Sequence, residues 1–271
     1  MDTLKLGFIQ TNPIFGEKEK NVEEAINLSK RAGGDLIVFP ELFNTGYAFT
    51  SKKEAYDLAE EIPEGYTSKR LMEHSKDDNK IIVAGLAERF DDKVFNSAVV
   101  VSNGHFVGVY RKVDLFYKEK LWFSVGDTGF KVFDLGFFKL GIMICFDWFF
   151  PESARVLALE GADVIAHPSN LVLPRLCQRA MLIRSLENKV FIITANRTGT
   201  EVRGRERFHY TGRSQITSPS MRILASAKEY EIISKVVDAD ISEAHNKNIT
   251  KFNHAIQDRK VEFYKRLVIP Q

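Results

Sequence analysis

Apolar and polar positions alternate from the first residues: Leu4, Leu6 and Phe8 are separated by Lys5 and Gly7, the period of a half-buried strand. Val22, Ala25, Ile26, Ser29 and Ala32 then fall at helical spacing, and Gly33-Gly34 supplies the stop. Leu36-Ile37-Val38-Phe39 is a continuous apolar run, the pattern of a strand covered on both faces. Pro40 ends it and Glu41 follows at once. A strand-helix-strand opening predicts a layered α/β protein.

The same reading gives strands at Ile81–Ala84 and Val94–Val101. Asn103-Gly104 separates the latter from Phe106–Tyr110, a strong two-residue hairpin signal. Antiparallel pairs therefore enter, and the sheets are expected to be mixed. Leu140–Ile144 reads as a buried strand ending at Cys145. Pro151 suits the first turn of a helix through Glu160, stopped by Gly161. Val164–Ala166, a helix from about Arg175 to Asn188, and Val190–Ala195 continue the alternation. The last thirty residues are polar, with Lys and Arg, and carry no legible period. No internal repeat is present.

Composition narrows the function classes. At 271 residues the chain can bury roughly three quarters of its unfolded surface, and no Gly/Ser- or Pro-rich linker interrupts it. One domain over 1–271 is expected, with a tail from about 241 to 271. A net charge of +2 argues against a nucleic-acid partner. The densest basic patch, Arg203, Arg205 and Arg207, is interleaved with Glu206 and reads as a solvated loop with local ion pairs. No run approaches the roughly 18 apolar residues of a membrane span, and the stretch before Leu4 is too short for a signal peptide, so none is expected. Cys145 and Cys177 give no disulfide framework, so a cytoplasmic location is expected.

Glu41, Lys112 and Cys145 each lie where an expected strand ends, the place where α/β proteins mount reactive groups. The types are complementary: a thiol needs a proton acceptor, and an ammonium can hold the charge of a tetrahedral intermediate. Cys145 can also be read as a small core residue. Its place before a helix N-terminus favours the reactive reading, because a helix dipole lowers a thiol pKa. Cys177 lies mid-helix and reads as structural. Lys112 is not separable from Arg111, Lys118 and Lys120 on these grounds. No two histidines stand at ligand spacing, so no metal is expected. His167, after a strand, is either a Cys-His partner or a packed imidazole. Nucleotide-binding loops are absent. The residues alone leave a cysteine site with acidic and basic candidates.

Phe39-Pro40-Glu41-Leu42, Tyr110-Arg111-Lys112-Val113 and Gly141-Ile142-Met143-Ile144-Cys145-Phe146-Asp147 resemble, in order, the three signature motifs of the nitrilase (carbon-nitrogen hydrolase) superfamily. The likeness continues through Phe150–Arg155, Glu187-Asn188 and Gly212–Ile216 with Pro219. It implies an α-β-β-α sandwich that pairs into a four-layer homodimer; the polar, Lys-rich tail from about Ile241, poorly suited to a core of its own, is expected to cross to the partner. It implies Cys145 as nucleophile, Glu41 as general base and Lys112 as oxyanion contact, and the Phe146 backbone N–H is expected to join Lys112 in that role. Glu119, before Gly126-Asp127, would position substrate or orient Lys112. No cofactor is implied. Tyr47, Phe116, Trp148 and Phe149 lie near these motifs and are expected to line a small pocket. The implied reaction releases ammonia and a carboxylic acid from a small nitrile or amide through a thioester. The stretch Cys145–Glu152 looks most like small archaeal-type aliphatic nitrilases. An amidase or N-carbamoyl amide hydrolase is the alternative; a non-catalytic binding protein on this fold would require a broken triad.

Overall fold

The computed structural model describes residues 3–269. In chain order the principal elements are β1 (Thr3–Gln10), α1 (Lys18–Ala32), β2 (Leu36–Val38), α2 (Lys52–Leu58), α3 (Tyr66–Asp77), β3 (Ile81–Phe90), β4 (Lys93–Ser102) and β5 (His105–Arg111). There follow α4 (Glu119–Trp122), β6 (Val132–Asp134), β7 (Lys139–Ile142), α5 (Pro151–Leu159), β8 (Val164–Ser169), α6 (Leu176–Asn188) and β9 (Phe191–Asn196). The last are β10 (Thr198–Arg203), β11 (Glu206–Thr211), β12 (Gln215–Thr217), β13 (Ile223–Ser226) and β14 (Ile233–Asp240).

Two six-stranded sheets form, in the orders β14-β1-β2-β3-β4-β5 and β6-β7-β8-β9-β12-β13. Both run antiparallel, parallel, parallel, antiparallel, antiparallel when read in those orders. The mixed α/β architecture is thus built from two halves of one topology, with the β10–β11 hairpin inserted between β9 and β12.

Strand periodicity sets the layering. Leu6 and Phe8 of β1, with Leu36 and Val38 of β2, share one core with Leu140, Ile142 and Ile165 of the second sheet. Ile9, Ile37 and Phe39 point the other way, onto Val22, Ala25 and Ile26 of α1 and Leu71 of α3. Successive side chains leave a strand on opposite faces. β2 is therefore buried on both sides, and its unbroken apolar run follows. Truncating a residue such as Phe8 or Ile37 in these cores would cost about 3 kcal/mol. Helices α5 and α6 cover the outer face of the second sheet, giving α-β-β-α layers.

Several elements differ from the sequence expectation. Residues 203–207 form the tip of the β10–β11 hairpin, with Gly204 in the left-handed region at φ 59°. Its charges pair with other elements and not within the patch as expected: Arg203 with Glu54 and Glu206 with Lys118. β7 stops at Ile142, three residues short of Cys145. The tail beyond His245 is less polar than its lysines suggest, since Ile249, Phe252, Phe263, Leu267 and Val268 are all more than half exposed. Among the described residues no helix is long and apolar enough to cross a membrane.

Candidate active site

Glu41 and Lys112 are delivered into the interior by close backbone packing. At Gly85 of β3 a Cβ would stand 2.5 Å from the Cα of Glu41, so only glycine lets the Glu41 loop lie against the strand. The loop is fastened there by Phe43 N–H donating to Gly85 O at 3.0 Å. Gly126 does the same for Lys112: a Cβ would lie 2.0 Å from Arg111 O, and its N–H donates to Lys112 O at 2.9 Å.

The Lys112 ammonium is wholly buried and shared between two carboxylates. It donates to Glu41 Oε1 at 2.7 Å and lies 2.9 and 2.8 Å from the two oxygens of Glu119. Burial alone would push this ammonium down, but Glu119 and Glu41 together outweigh it and hold it well above the lysine range. The neighbouring cations are spent elsewhere or exposed: Arg111 pairs with Glu88 and Asp127, and Lys118 with Glu206.

The two carboxylates are not equivalent. Glu119 opens α4 and has both oxygens engaged, Oε1 accepting from the Tyr47 hydroxyl at 2.7 Å and Oε2 from Phe116 N–H at 3.2 Å, besides Lys112. Burial pushes its carboxyl up, Lys112 pulls it back, and the Glu41 charge adds to the rise. Glu41 Oε1 accepts from Lys112 and from Asn96 Nδ2 at 2.7 Å. Its other oxygen, Oε2, is buried and has no partner among the described residues.

Cys145 stands on a tight turn, at φ 42°, the left-handed region that a side chain rarely occupies. A short 3₁₀ turn, Cys145–Phe149, follows it, and α5 begins only at Pro151. The expected lowering of the thiol pKa does not occur. Burial drives the thiol well up, the Glu41 charge adds, and Lys112 and the Asn170 backbone N–H recover only part. At neutral pH the group is a thiol.

His167 forms no Cys-His dyad. Its Nε2 is 2.9 Å from the carbonyl oxygen of Cys145, and its Nδ1 is 3.1 Å from Thr194 Oγ1. A carbonyl only accepts, so Nε2 carries the proton and the Thr194 hydroxyl donates to Nδ1. Burial holds this imidazole neutral, its pKa lowered to about 4. On the other side of the turn, Asp147 Oδ2 accepts from Ile144 N–H and from the Tyr110 hydroxyl, each at 2.8 Å, and Oδ1 accepts from Asp114 N–H at 3.0 Å. The Cys145 turn is thereby tied to the strand end that carries Lys112. Burial raises the Asp147 carboxyl to about 7.

A small cleft opens onto Cys145, lined by Phe116, Phe146, Trp148, Asn170 and Leu171–Leu173. Of the expected lining residues, Phe116 and Trp148 are there. Tyr47 stands behind Glu119, which its hydroxyl contacts. Phe149 faces away: it stacks on Phe146 with ring centroids 5.4 Å apart and is 53% exposed. Sequence reasoning gave no role to Tyr110 and Asp147, although both lie inside the quoted motifs, nor to Asn96 and Asn170, which carried no signal. No group of three metal-ligating side chains occurs among the described residues.

Residues 5–246 match the family model described as carbon-nitrogen hydrolase. The chain is 50% identical over 266 residues to a protein of Pyrococcus abyssi named nitrilase, covering 97% of this chain and all of that one. It is 30% identical over 269 residues to the N-carbamoylputrescine amidase of Solanum lycopersicum, covering 91% and 88%. Its fold is similar to the crystal structure of a carbon-nitrogen hydrolase from Helicobacter pylori G27, with a TM-score of 0.88, 26% identity, and 98% and 99% coverage.

Proposed function

The chain belongs to the carbon-nitrogen hydrolase family, and on that premise we propose that Cys145, Glu41, Lys112 and Glu119 hydrolyse a small nitrile through a covalent thioester. The observation that carries this reading is the asymmetry of the two buried carboxylates. Glu119 has no free oxygen and serves to hold Lys112; Glu41 keeps Oε2 open for a proton.

The resting thiol keeps its proton until substrate arrives, so attack and proton transfer to Glu41 go together. Sulfur bonds to the nitrile carbon, the proton passes through Glu41 to nitrogen, and a thioimidate forms. Water, deprotonated by Glu41, adds to that carbon. Glu41 returns that proton to nitrogen and then relays the proton of the new hydroxyl to it as well, so ammonia leaves and a thioester remains. A second water releases the carboxylic acid and restores the thiol. Lys112 and the Phe146 backbone N–H stabilise the charge on the substrate heteroatom, the N–H lying in the first turn after Cys145, where amides have no partner within the turn. An amide enters as a tetrahedral adduct and consumes one water.

Likeness to the Pyrococcus abyssi protein favours a nitrile, and the likeness to a carbamoyl amide hydrolase supports amide or N-carbamoyl substrates as the second reading. The test is ammonia release from matched small nitriles, amides and carbamoyl amines. Turnover of amides with none of nitriles decides for the second reading; no turnover of any class decides for a binding protein on this fold.

The same reading makes the protein a cytoplasmic homodimer. A free catalytic thiol persists in a reducing compartment. Val156 and Leu159 of α5, and Ile183 and Leu186 of α6, are each more than a third exposed, an apolar face suited to a two-fold contact. Arg259, Tyr264 and Leu267 of the tail border a hollow beside it with Pro151, Arg155 and Glu187.

A further inference from the structure

Asn170 is the unexplained group in the Cys145 cleft. It is 3% exposed, and neither its side-chain nitrogen nor its side-chain oxygen has a partner among the described residues. The other side chains lining that cleft, Cys145 apart, are apolar: Phe116, Phe146, Trp148, Leu171, Val172 and Leu173. The backbone that carries it is fixed. Leu171 N–H donates to Asn196 Oδ1 at 2.8 Å, and Leu171 O accepts from Thr211 N–H at 2.9 Å. The Asn170 N–H itself faces the Cys145 sulfur. A carboxamide with both ends unpaired is thus held at the wall of an apolar cleft, where an unmade hydrogen bond is costly.

We propose that Asn170 is a specificity-determining residue, and that the substrate carries, beyond its reacting carbon-nitrogen group, a second polar group that both donates and accepts a hydrogen bond: a hydroxyl or a carboxamide. This rests on the reaction assigned above. There the reacting group already has its partners, Lys112 and the Phe146 N–H at the charged heteroatom and Glu41 for the protons. The Asn170 side chain is left for the acyl part. A carboxamide offers one donor face and one acceptor face, so its complement must do both. A plain alkyl chain leaves both faces unpaired. Sites built to bond a substrate hydroxyl or N–H reject the analogue that lacks it far more strongly than apolar pockets discriminate size.

Two isosteric pairs test this: 3-hydroxypropionitrile against butyronitrile, and 3-hydroxypropionamide against butyramide. Affinities measured by calorimetry on Cys145→Ala protein make the result independent of turnover. Binding of the hydroxylated member of a pair about tenfold or more tighter is expected, as is the collapse of that ratio in Cys145→Ala/Asn170→Leu protein. Asn170→Asp, isosteric but without the donor, should reduce the ratio in part, and it serves if the leucine variant does not fold. Equal affinities within both pairs, or a ratio unchanged by either variant, overturn the proposal. Discriminating binding by Cys145→Ala protein with no ammonia release by the unmodified enzyme would instead overturn the assigned reaction and uphold the role of Asn170.

Discussion

The imidazole of His167 is hydrogen-bonded to the carbonyl of Cys145, at 2.9 Å, and is held at its far nitrogen by Thr194. That carbonyl belongs to a residue at φ 42°, a conformation that persists only when its surroundings over-determine it. His167 therefore supports the Cys145 turn through its carbonyl. His167→Ala should lower kcat by about 10- to 100-fold, the scale of a misplaced reacting atom, with a smaller change in KM. His167→Gln, which keeps a donor, should recover part of the rate. Near-wild-type kcat in the alanine variant would remove His167 from this role.

The same imidazole gives a pH signature in stability. Its pKa is about 4 in the folded chain against an ordinary 6.5. Between those values the unfolded chain binds the proton and the folded one does not. His167 thus contributes stability that is full above about pH 6.5 and is lost as pH falls to 4, up to about 3 kcal/mol. Asp147, raised from 3.8 to about 7, acts oppositely: its protonated form favours the fold as pH falls from 7 toward 3.8. Urea unfolding at pH 4.5 and 7 should therefore show less loss of stability on acidification in His167→Gln, and more in Asp147→Asn, than in the wild type. Parallel profiles for all three would refute both assignments.

The open oxygen of Glu41 and the filled ones of Glu119 separate the two carboxylates. Glu41→Gln should lose both acylation and deacylation, since an amide cannot cycle a proton. Glu119→Gln should still form covalent adduct, though turnover is slow. Lys112→Met should cost on the order of 3 kcal/mol in transition-state stabilisation, by analogy with a lost oxyanion donor. Intact-protein mass spectrometry with an activated substrate reads the adduct directly. Adduct formed and hydrolysed normally by Glu41→Gln, with neither step in Glu119→Gln, would reverse the roles.

Burial raises both thiols, so access must separate them. Cys145 lines the cleft, whereas Cys177 is fully buried in α6. Iodoacetamide should label Cys145 first, and faster as pH rises toward the thiol pKa. Cys145→Ala should remain folded and inactive. Equal labelling of the two cysteines, or activity in the alanine variant, would contradict the nucleophile assignment.

The assembly is tested by light scattering at micromolar concentration, where a dimer is expected. Deleting residues 247–271 should weaken it, because that segment borders the exposed α5–α6 face. A fully active, stable monomer of the whole chain would count against the tail's role and the dimer together.

The sequence by itself determined what depends on neighbours along the chain. The period of two in β1 and the Asn103-Gly104 turn are local properties of side-chain direction and backbone freedom, and they were legible for that reason. The unbroken run of β2 foretold cover on both faces, since both core clusters contain its side chains. The motifs named Glu41, Lys112 and Cys145, the wider resemblance added Glu119, and the fold brings Lys112 between both glutamates. Other elements were not legible. α3 presents mostly polar side chains and the β10–β11 hairpin mixes charge with aromatic residues, so neither carries a clean apolar period. What only the tertiary structure decided are the electrostatic and hydrogen-bonding particulars. Lys112 and Glu41 are 71 positions apart, and His167 and Cys145 are 22 apart. Which glutamate keeps a free oxygen, whether the thiol pKa rises or falls, and which atom His167 grips all depend on distances of a few ångströms through space. A short turn after Cys145 and burial of its sulfur, with the Glu41 charge adding to it, reversed the thiol shift expected from a helix terminus, because desolvation outweighs the nearby ammonium and amide dipole.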